Sequence, residues 1–524
     1  MLFSSYEFLF AFLPLTFVGY FLIARLGREP AVAWLVICSL FFYGWWNPTY
    51  LLLIAVSMLV NFRLGQILSK RADPDGFSGR LWLSAGVVFN LSLIAYFKYT
   101  DFAIESVNNL AGTHIPLKEI ILPLAISFFT FQQIAYLVDA RRGLAREYSF
   151  MHYALFVTFF PQLIAGPIVH HRDMLPQFMR DDAMKPHVSN ISIGLTIFAI
   201  GLFKKTVLAD GVAQFATPTF DAAARGETLS LFTAWGGALA YTLQLYFDFS
   251  GYSDMAIGGA RIFGIKLPLN FHSPYRATSI IEFWRRWHMT LSQFLREYLY
   301  IALGGNRGTS LKRYRNLLLT MLLGGLWHGA GWTFVVWGGL HGVYLTANHL
   351  WRRFFPGVDG FNNKPLVRLV AWLVTFIAVV IGWVFFRAVD FDTAVSVLAG
   401  MAGVHGVALP NGIAMRLGDL WLPLQAIGIE TYLGGGTDFV QTWLWIAMLL
   451  PVALLCPNTQ QIMRTAEPAL NMHQCQPSDE LPMPSALSRL RWEPSARWAL
   501  LIGFLATVAI FAMTRVSEFL YFQF

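Results

Sequence analysis

Between Asn316 and Trp351 the chain reads NLLLTMLLGGLWHGAGWTFVVWGGLHGVYLTANHLW. These 36 residues contain no Lys, Arg, Asp or Glu. A helix needs about 20 apolar residues to cross the ~30 Å hydrocarbon layer of a bilayer. The stretch therefore reads as two short membrane segments, 316–336 and 337–351, and the rest of the sequence repeats the pattern. Further apolar runs lie at about 6–26, 31–47, 49–68, 81–98, 118–138, 149–169, 188–209, 229–249, 366–388, 438–456 and 497–516. The 524-residue chain is 56% hydrophobic and 13% charged, where a soluble domain carries about 25% charged residues. Mean hydropathy is +0.52. Length alone suggests about three soluble domains, but one polytopic bundle absorbs the whole chain.

The expected fold is an all-α polytopic membrane protein with about 11–13 transmembrane or re-entrant helices. It forms a single membrane-embedded unit, 1–524: N-terminal spans over 1–110, a core over 116–351, and C-terminal spans over 366–524. The polar, proline-containing segment 457–496 reads as a partly mobile loop. The first apolar run follows no basic stretch and no clear cleavage site, so it reads as a retained span rather than a signal peptide.

Net charge is +8. Lys and Arg gather in short loops, which fits the positive-inside bias and contact with anionic membrane lipids rather than nucleic acid. Arg25 and Arg28 follow the first span. Lys70, Arg71 and Arg80 separate the third and fourth, Arg141, Arg142 and Arg146 follow the fifth, and Lys204 and Lys205 end the seventh. These sets share one side if the first span runs inward, which places the N-terminus outside. The three cysteines, Cys38, Cys456 and Cys475, have no disulfide or metal spacing,.

The segment Arg276–Asn316 holds eight basic residues against Glu282 and Glu297, with Trp284, Trp287, Tyr298 and Tyr300 interspersed. Trp284, His288, Leu291 and Leu295 recur at helical spacing, which predicts an interfacial amphipathic helix with His288 on its apolar face.

Ionisable groups at membrane depth are costly and mark functional sites. His328 is one, embedded in the uncharged stretch above. A neutral imidazole there can take a proton from a hydroxyl, and the surrounding glycines leave room for close approach. The other reading is a core histidine satisfied by hydrogen bonds. His288, 40 residues earlier, can converge with it, one as base and the other as orienter or oxyanion donor. Neither spacing matches a zinc pair, so no metal is expected, and His341 and His349 read as structural. A third region, Gln244 to Gly259, contains Tyr246, Asp248, Ser250, Ser253 and Asp254. It reads either as a re-entrant loop lining a tunnel or as helix capping. No G-x-S-x-G elbow or P-loop is present,.

Several motifs together resemble the membrane-bound O-acyltransferases. They are Trp284-Arg285-Arg286-Trp287-His288-Met289-Thr290-Leu291-Ser292, Arg296-Glu297-Tyr298-Leu299-Tyr300-Ile301, Leu303-Gly304-Gly305-Asn306-Arg307 and Gly325-Leu326-Trp327-His328-Gly329. Pro161-Gln162-Leu163-Ile164-Ala165-Gly166-Pro167 and the Tyr246–Gly258 stretch join them, and the likeness runs over most of the chain. The resemblance implies a membrane-embedded catalytic His at His328 with a second site residue at His288. It is similar to the bacterial branch that acetylates alginate or cellulose. That implies transfer of acetyl from a cytoplasmic donor, acetyl-CoA, with no bound cofactor, across the inner membrane. A periplasmic or membrane-anchored polysaccharide acetyltransferase and a polysaccharide synthase/export complex are the implied partners. Trp327, Gln244, Tyr246, Asp248, Ser250, Asp254, Trp284 and Asn306 are expected to line the substrate path. The basic 276–315 stretch itself fits either of two partners on the cytoplasmic side: donor phosphate, contacted by Arg285, Arg286 and Arg307, or lipid headgroups. Acyl transfer to another envelope acceptor such as teichoic acid, a transporter, and a non-catalytic scaffold are the competing readings. A transporter predicts inverted repeats, and none is seen.

Overall fold

A computed structural model describes residues 1–70, 76–145, 149–355, 364–470 and 481–513. Arg71, Arg146, Cys475 and the end of the last apolar run lie outside the described residues. In chain order the main helices are α1 (Phe8–Leu26), α2 (Arg28–Gly44), α3 (Tyr50–Ser69), α4 (Phe77–Ala111), α5 (Ile126–Arg141), α6 (Phe150–Thr158), α7 (Val188–Ala224) and α8 (Leu231–Ile262). They continue with α9 (Ile280–Trp284), α10 (Met289–Phe294), α11 (Ser310–His328), α12 (Trp332–Phe354), α13 (Pro365–Arg387), α14 (Gly436–Leu455) and α15 (Ala496–Ala512). Six of them, α1, α3, α4, α7, α13 and α14, are long and apolar enough to cross a membrane. The strands found among the described residues, β1 (Val407–Pro410) and β2 (Ile429–Tyr432), form one short parallel pair. The protein is a multi-pass, all-α membrane protein.

Two long helices run past the ends set by the sequence pattern, for the same reason. Lys204 and Lys205 do not end a span; they lie within α7, in a π-helical stretch, Lys204–Ala209. Lys205 is buried and bonds Asp210 at 2.6 Å and Asp248 at 2.7 Å, while Lys204 reaches Asp254 at 2.6 Å. Asp248 and Asp254 come from the middle of α8, so the Tyr246–Gly258 stretch is neither a re-entrant loop nor a cap. Charges that pair across two helices no longer force the chain out to water.

Within the described part of the 457–496 segment, residues 457–470 are folded onto the bundle rather than forming a mobile loop. Asn458 caps a short helix, Thr459–Ile462, with a reciprocal capping box,. Thr459 and Gln460 are buried and donate hydrogen bonds to Asp254.

Helices α11 and α12 form an antiparallel hairpin turned by Gly329–Gly331. At Gly325 a Cβ would strike the Phe334 carbonyl oxygen, and at Gly338 the Met321 carbonyl oxygen. The glycines thus let two backbones touch, as small residues do between membrane helices. They do not clear space for substrate.

The two ends of the bundle are fixed by polar contacts. Arg28 at the start of α2 pairs with Asp181 at 2.7 Å. Gln177, in the same connecting segment, exchanges two 2.9 Å hydrogen bonds with the Lys266 backbone just beyond α8. At one end of the hairpin, Arg353 of α12 bonds Ser310 of α11 at 2.8 Å. From Arg28, α2 rises about 25 Å over its length and delivers Trp46 to the opposite end.

Candidate active site

His328 is the last residue of α11, and its ring is held by aromatic neighbours: Trp327 at 4.9 Å, Trp337 at 5.1 Å and Phe386 at 5.3 Å between centroids. Neither ring nitrogen has a hydrogen-bond partner among the described residues. The residue is 7% exposed and lines a cavity of about 210 Å³ with Lys98, Trp46, Trp327 and residues 121–128. A buried imidazole with open nitrogens, facing a cavity, is available to a substrate rather than occupied as a core histidine.

The carbonyls at the end of α11 have no partner within the helix, and α4 supplies one. Lys98 Nζ donates to the Trp327 oxygen at 2.6 Å and the His328 oxygen at 3.1 Å, and Tyr99 Oη donates to the Leu326 oxygen at 2.8 Å. Lys98 is buried, and no carboxylate pairs with it among the described residues. A cation at a helix C-terminus is favourably placed against the backbone dipoles. The sequence held a signal for this residue, since Lys98 interrupts an apolar helix, but its partner in α11 is 230 positions away.

His288 is not on a continuous amphipathic helix. The chain breaks between α9 and α10, and His288 adopts φ 43° and ψ 54°, the left-handed region. This conformation is unfavourable for a non-glycine residue and clusters at functional sites. The break is held from outside: His272 N–H donates to the Arg286 oxygen at 3.0 Å, and Met289 N–H to the Asn270 oxygen at 2.9 Å. The result brings the two histidines together, with ring centroids 6.3 Å apart and planes at 64°. Phe249 of α8 covers the other side of His288, edge-on at 4.8 Å.

A second cavity, of about 540 Å³, approaches from the Lys266 end, lined by Pro268, Leu269, Trp284, Arg285, Thr290, Arg296 and His349 among others. The first opens at the Trp46 end. The histidine pair lies where α9–α10 and the α11–α12 hairpin meet; His328 lines the first cavity, and Trp284, Met289 and Thr290, which flank His288 along the chain, line the second.

The sequence profile of the membrane-bound O-acyltransferase family matches residues 76–388, a range that contains both histidines and both α4 contacts. The chain belongs to the membrane-bound O-acyltransferase family. It is 47% identical over 440 residues to the peptidoglycan O-acetyltransferase of Helicobacter pylori, covering 78% of this chain and 81% of that relative. It is 43% identical over 401 residues to the probable alginate O-acetylase AlgI of Pseudomonas aeruginosa, covering 75% and 73%. Identity to the teichoic acid D-alanyltransferase of Bacillus subtilis is 28% over 289 residues, covering 53% and 72%. The protein is a membrane-embedded acyltransferase with O-acetyltransferase relatives.

The other residues expected to serve this O-acyltransferase divide sharply. Trp327 lines the first cavity and Trp284 the second, where Trp284 Nε1 donates to His341 Nδ1 at 3.2 Å. Arg285 is exposed and lines the second cavity, within 3.6 Å of Glu282. Arg286 is buried and bonds Glu282 at 2.7 Å, so it is not free to meet a donor phosphate. Arg276, from the same basic stretch, is buried and donates to the Leu481 oxygen. Asn306 and Arg307 sit on an exposed turn, where Asn306 accepts a 2.6 Å bond from Tyr300, and neither lines either cavity. Asp248 and Asp254 are held in the lysine pairs of α7. Gln244, Tyr246 and Ser250 are buried in α8, and neither Gln244 Oε1 nor Ser250 Oγ has a hydrogen-bond partner among the described residues. No hydrogen bond joins Ser250, Ser253 or Asp254 to either histidine among the described residues. Asn270, which bonds His288, and Thr290 were not legible as site residues. No cluster of three or more metal-ligating side chains occurs among the described residues.

Proposed function

We propose that this acyltransferase moves acetyl groups from cytoplasmic acetyl-CoA to the outer side of a bacterial inner membrane for O-acetylation of an exported polysaccharide such as alginate or cellulose. One observation carries the reading: His328, with open ring nitrogens and His288 beside it, lines a cavity at the Trp46 end, and a second, basic-lined cavity lies toward the Lys266 end. The Lys266 end is the cytoplasmic one and the N-terminus is periplasmic. The larger cavity takes the donor, with Arg285 and Arg296 near its phosphates. The acceptor hydroxyl enters from the smaller one.

In this mechanism His328 removes the acceptor hydroxyl proton as its oxygen attacks the thioester carbonyl. The tetrahedral intermediate collapses, the C–S bond breaks, and the departing CoA thiolate takes the proton from His328. His288 orients the reacting group. Relatives that act on peptidoglycan and alginate support a polysaccharide acceptor. A periplasmic or membrane-anchored acetyltransferase completes delivery within the synthase/export assembly.

Sealed membrane vesicles of known orientation test the sidedness. Labelled acetyl-CoA supplied to the cytoplasmic face should place label on glycan at the other face, and supply to the periplasmic face should not. Equal labelling from either face, or none from the cytoplasmic face, overturns the proposal.

A further inference from the structure

The tautomer of His288 can be worked out from its neighbours. Its Nδ1 lies 3.1 Å from Asn270 Oδ1. Either atom of such a pair can donate in principle, because an imidazole nitrogen carries a proton or a lone pair and an amide can flip. Thr290 removes the ambiguity. Its backbone N–H, a fixed donor, points at the same Asn270 atom at 3.3 Å, and its hydroxyl lies 2.9 Å away. That hydroxyl already accepts from Ile168 N–H at 3.0 Å, so its own proton is directed at Asn270. An atom that receives two donors must be the amide oxygen. The proton between Asn270 and His288 therefore sits on Nδ1, and the lone pair sits on Nε2. Nε2 is buried and has no hydrogen-bond partner among the described residues.

We infer that Asn270 is a positioning residue that holds His288 as the Nδ1–H tautomer, so that His288 acts on the substrate through Nε2 as a hydrogen-bond acceptor and not as an oxyanion donor. A neutral ring in this tautomer has no N–H to offer a developing oxyanion at Nε2. It has a lone pair, and that lone pair accepts a hydrogen bond from a second hydroxyl of the acceptor next to the reacting one, which aims the reacting oxygen and leaves its proton to His328. Asn270, Thr290 and Ile168 form the chain that fixes it. Through Ile168, the Pro161–Pro167 motif acquires a role, because it delivers the N–H that orients the Thr290 hydroxyl.

The inference rests on the proposal that both histidines take part in the reaction, and the experiment separates the two. Acetyl transfer to glycan is measured with labelled acetyl-CoA in membrane vesicles from cells carrying the complete export assembly, for full-length Asn270→Leu, Asn270→Asp and His288→Ala. Asn270→Leu is expected to lower kcat about 30-fold or more, with KM for acetyl-CoA within about threefold of the unsubstituted protein. Asn270→Asp still offers an acceptor oxygen to Nδ1 and Thr290, and should restore kcat to within about tenfold. If Asn270→Leu does not accumulate in membranes, Asn270→Ser, too short to reach Nδ1, is read against the same outcomes. Unchanged kcat in Asn270→Leu, or an Asp variant that accumulates yet is as inactive as Leu, overturns the inference. Full activity in His288→Ala overturns the broader proposal instead.

Discussion

Replacing Lys98 by Met should separate the support of His328 from the stability of the protein. The ammonium makes two hydrogen bonds, 2.6 Å to the Trp327 oxygen and 3.1 Å to the His328 oxygen. A hydrogen bond involving a charged group contributes about 1.5–3 kcal/mol, and a cation at a buried helix terminus up to ~2 kcal/mol. Against this, keeping an ammonium out of water costs several kcal/mol. Met removes both the attraction and the cost and fills a similar volume, so the global change should stay within about 2 kcal/mol. The local change is one-sided: the last turn of α11, which carries His328, loses the backbone constraint that Lys98 supplies. If about 2–3 kcal/mol of that constraint is expressed in the transition state, kcat falls roughly 30- to 150-fold, at ~1.4 kcal/mol per factor of ten. The assay is acetyl transfer in membrane vesicles beside thermal unfolding of the detergent-solubilised protein. The expected result is a large loss of kcat with little change in melting temperature. A kcat within twofold of the unsubstituted protein would show that Lys98 has no hold on the reaction. A collapse in accumulation would show that it is structural.

Three further substitutions probe the frame around the site. Gly338→Val places a side chain against the Met321 carbonyl and should force α11 and α12 apart, costing about 3 kcal/mol or more; size-exclusion profiles of the solubilised protein should show loss of the monodisperse species. Lys205→Met leaves the buried Asp248 and the part-buried Asp210 without their cation and should destabilise by about 3–5 kcal/mol, read as a drop in melting temperature. Adding Asp248→Asn to Lys205→Met should recover part of that loss, and a strictly additive double variant would argue against direct pairing.

The membrane fold was legible because hydropathy is a local property, written residue by residue in runs such as 316–351. What hydropathy could not show was where charges are neutralised by a distant partner. Lys204 and Lys205 look like the end of a span until Asp248 and Asp254 of α8 are placed beside them. The same blindness made the Tyr246–Gly258 stretch resemble a polar loop. His328 was legible as a lone ionisable group, and His288 through its resemblance to a family motif. Its helical spacing was misleading, since the left-handed backbone at His288 depends on hydrogen bonds that its neighbours make with the Asn270 carbonyl and the His272 N–H, outside any local pattern. Asn270 carries no signal of its own: a polar residue between Leu269 and Phe271 becomes interpretable only when its oxygen is seen to receive Thr290 and His288 together. Arg286 and Arg276 show the converse, basic residues in a basic stretch that fold inward to Glu282 and to the Leu481 carbonyl.

The most direct measurement is acetyl transfer by His328→Ala protein that inserts and accumulates normally in membranes. With the imidazole removed and the cavity intact, the rate of transfer to glycan should fall by about a thousandfold or more, while acetyl-CoA still binds with unchanged affinity. Transfer within tenfold of the unsubstituted protein, at equal membrane abundance, would contradict the central role given to His328.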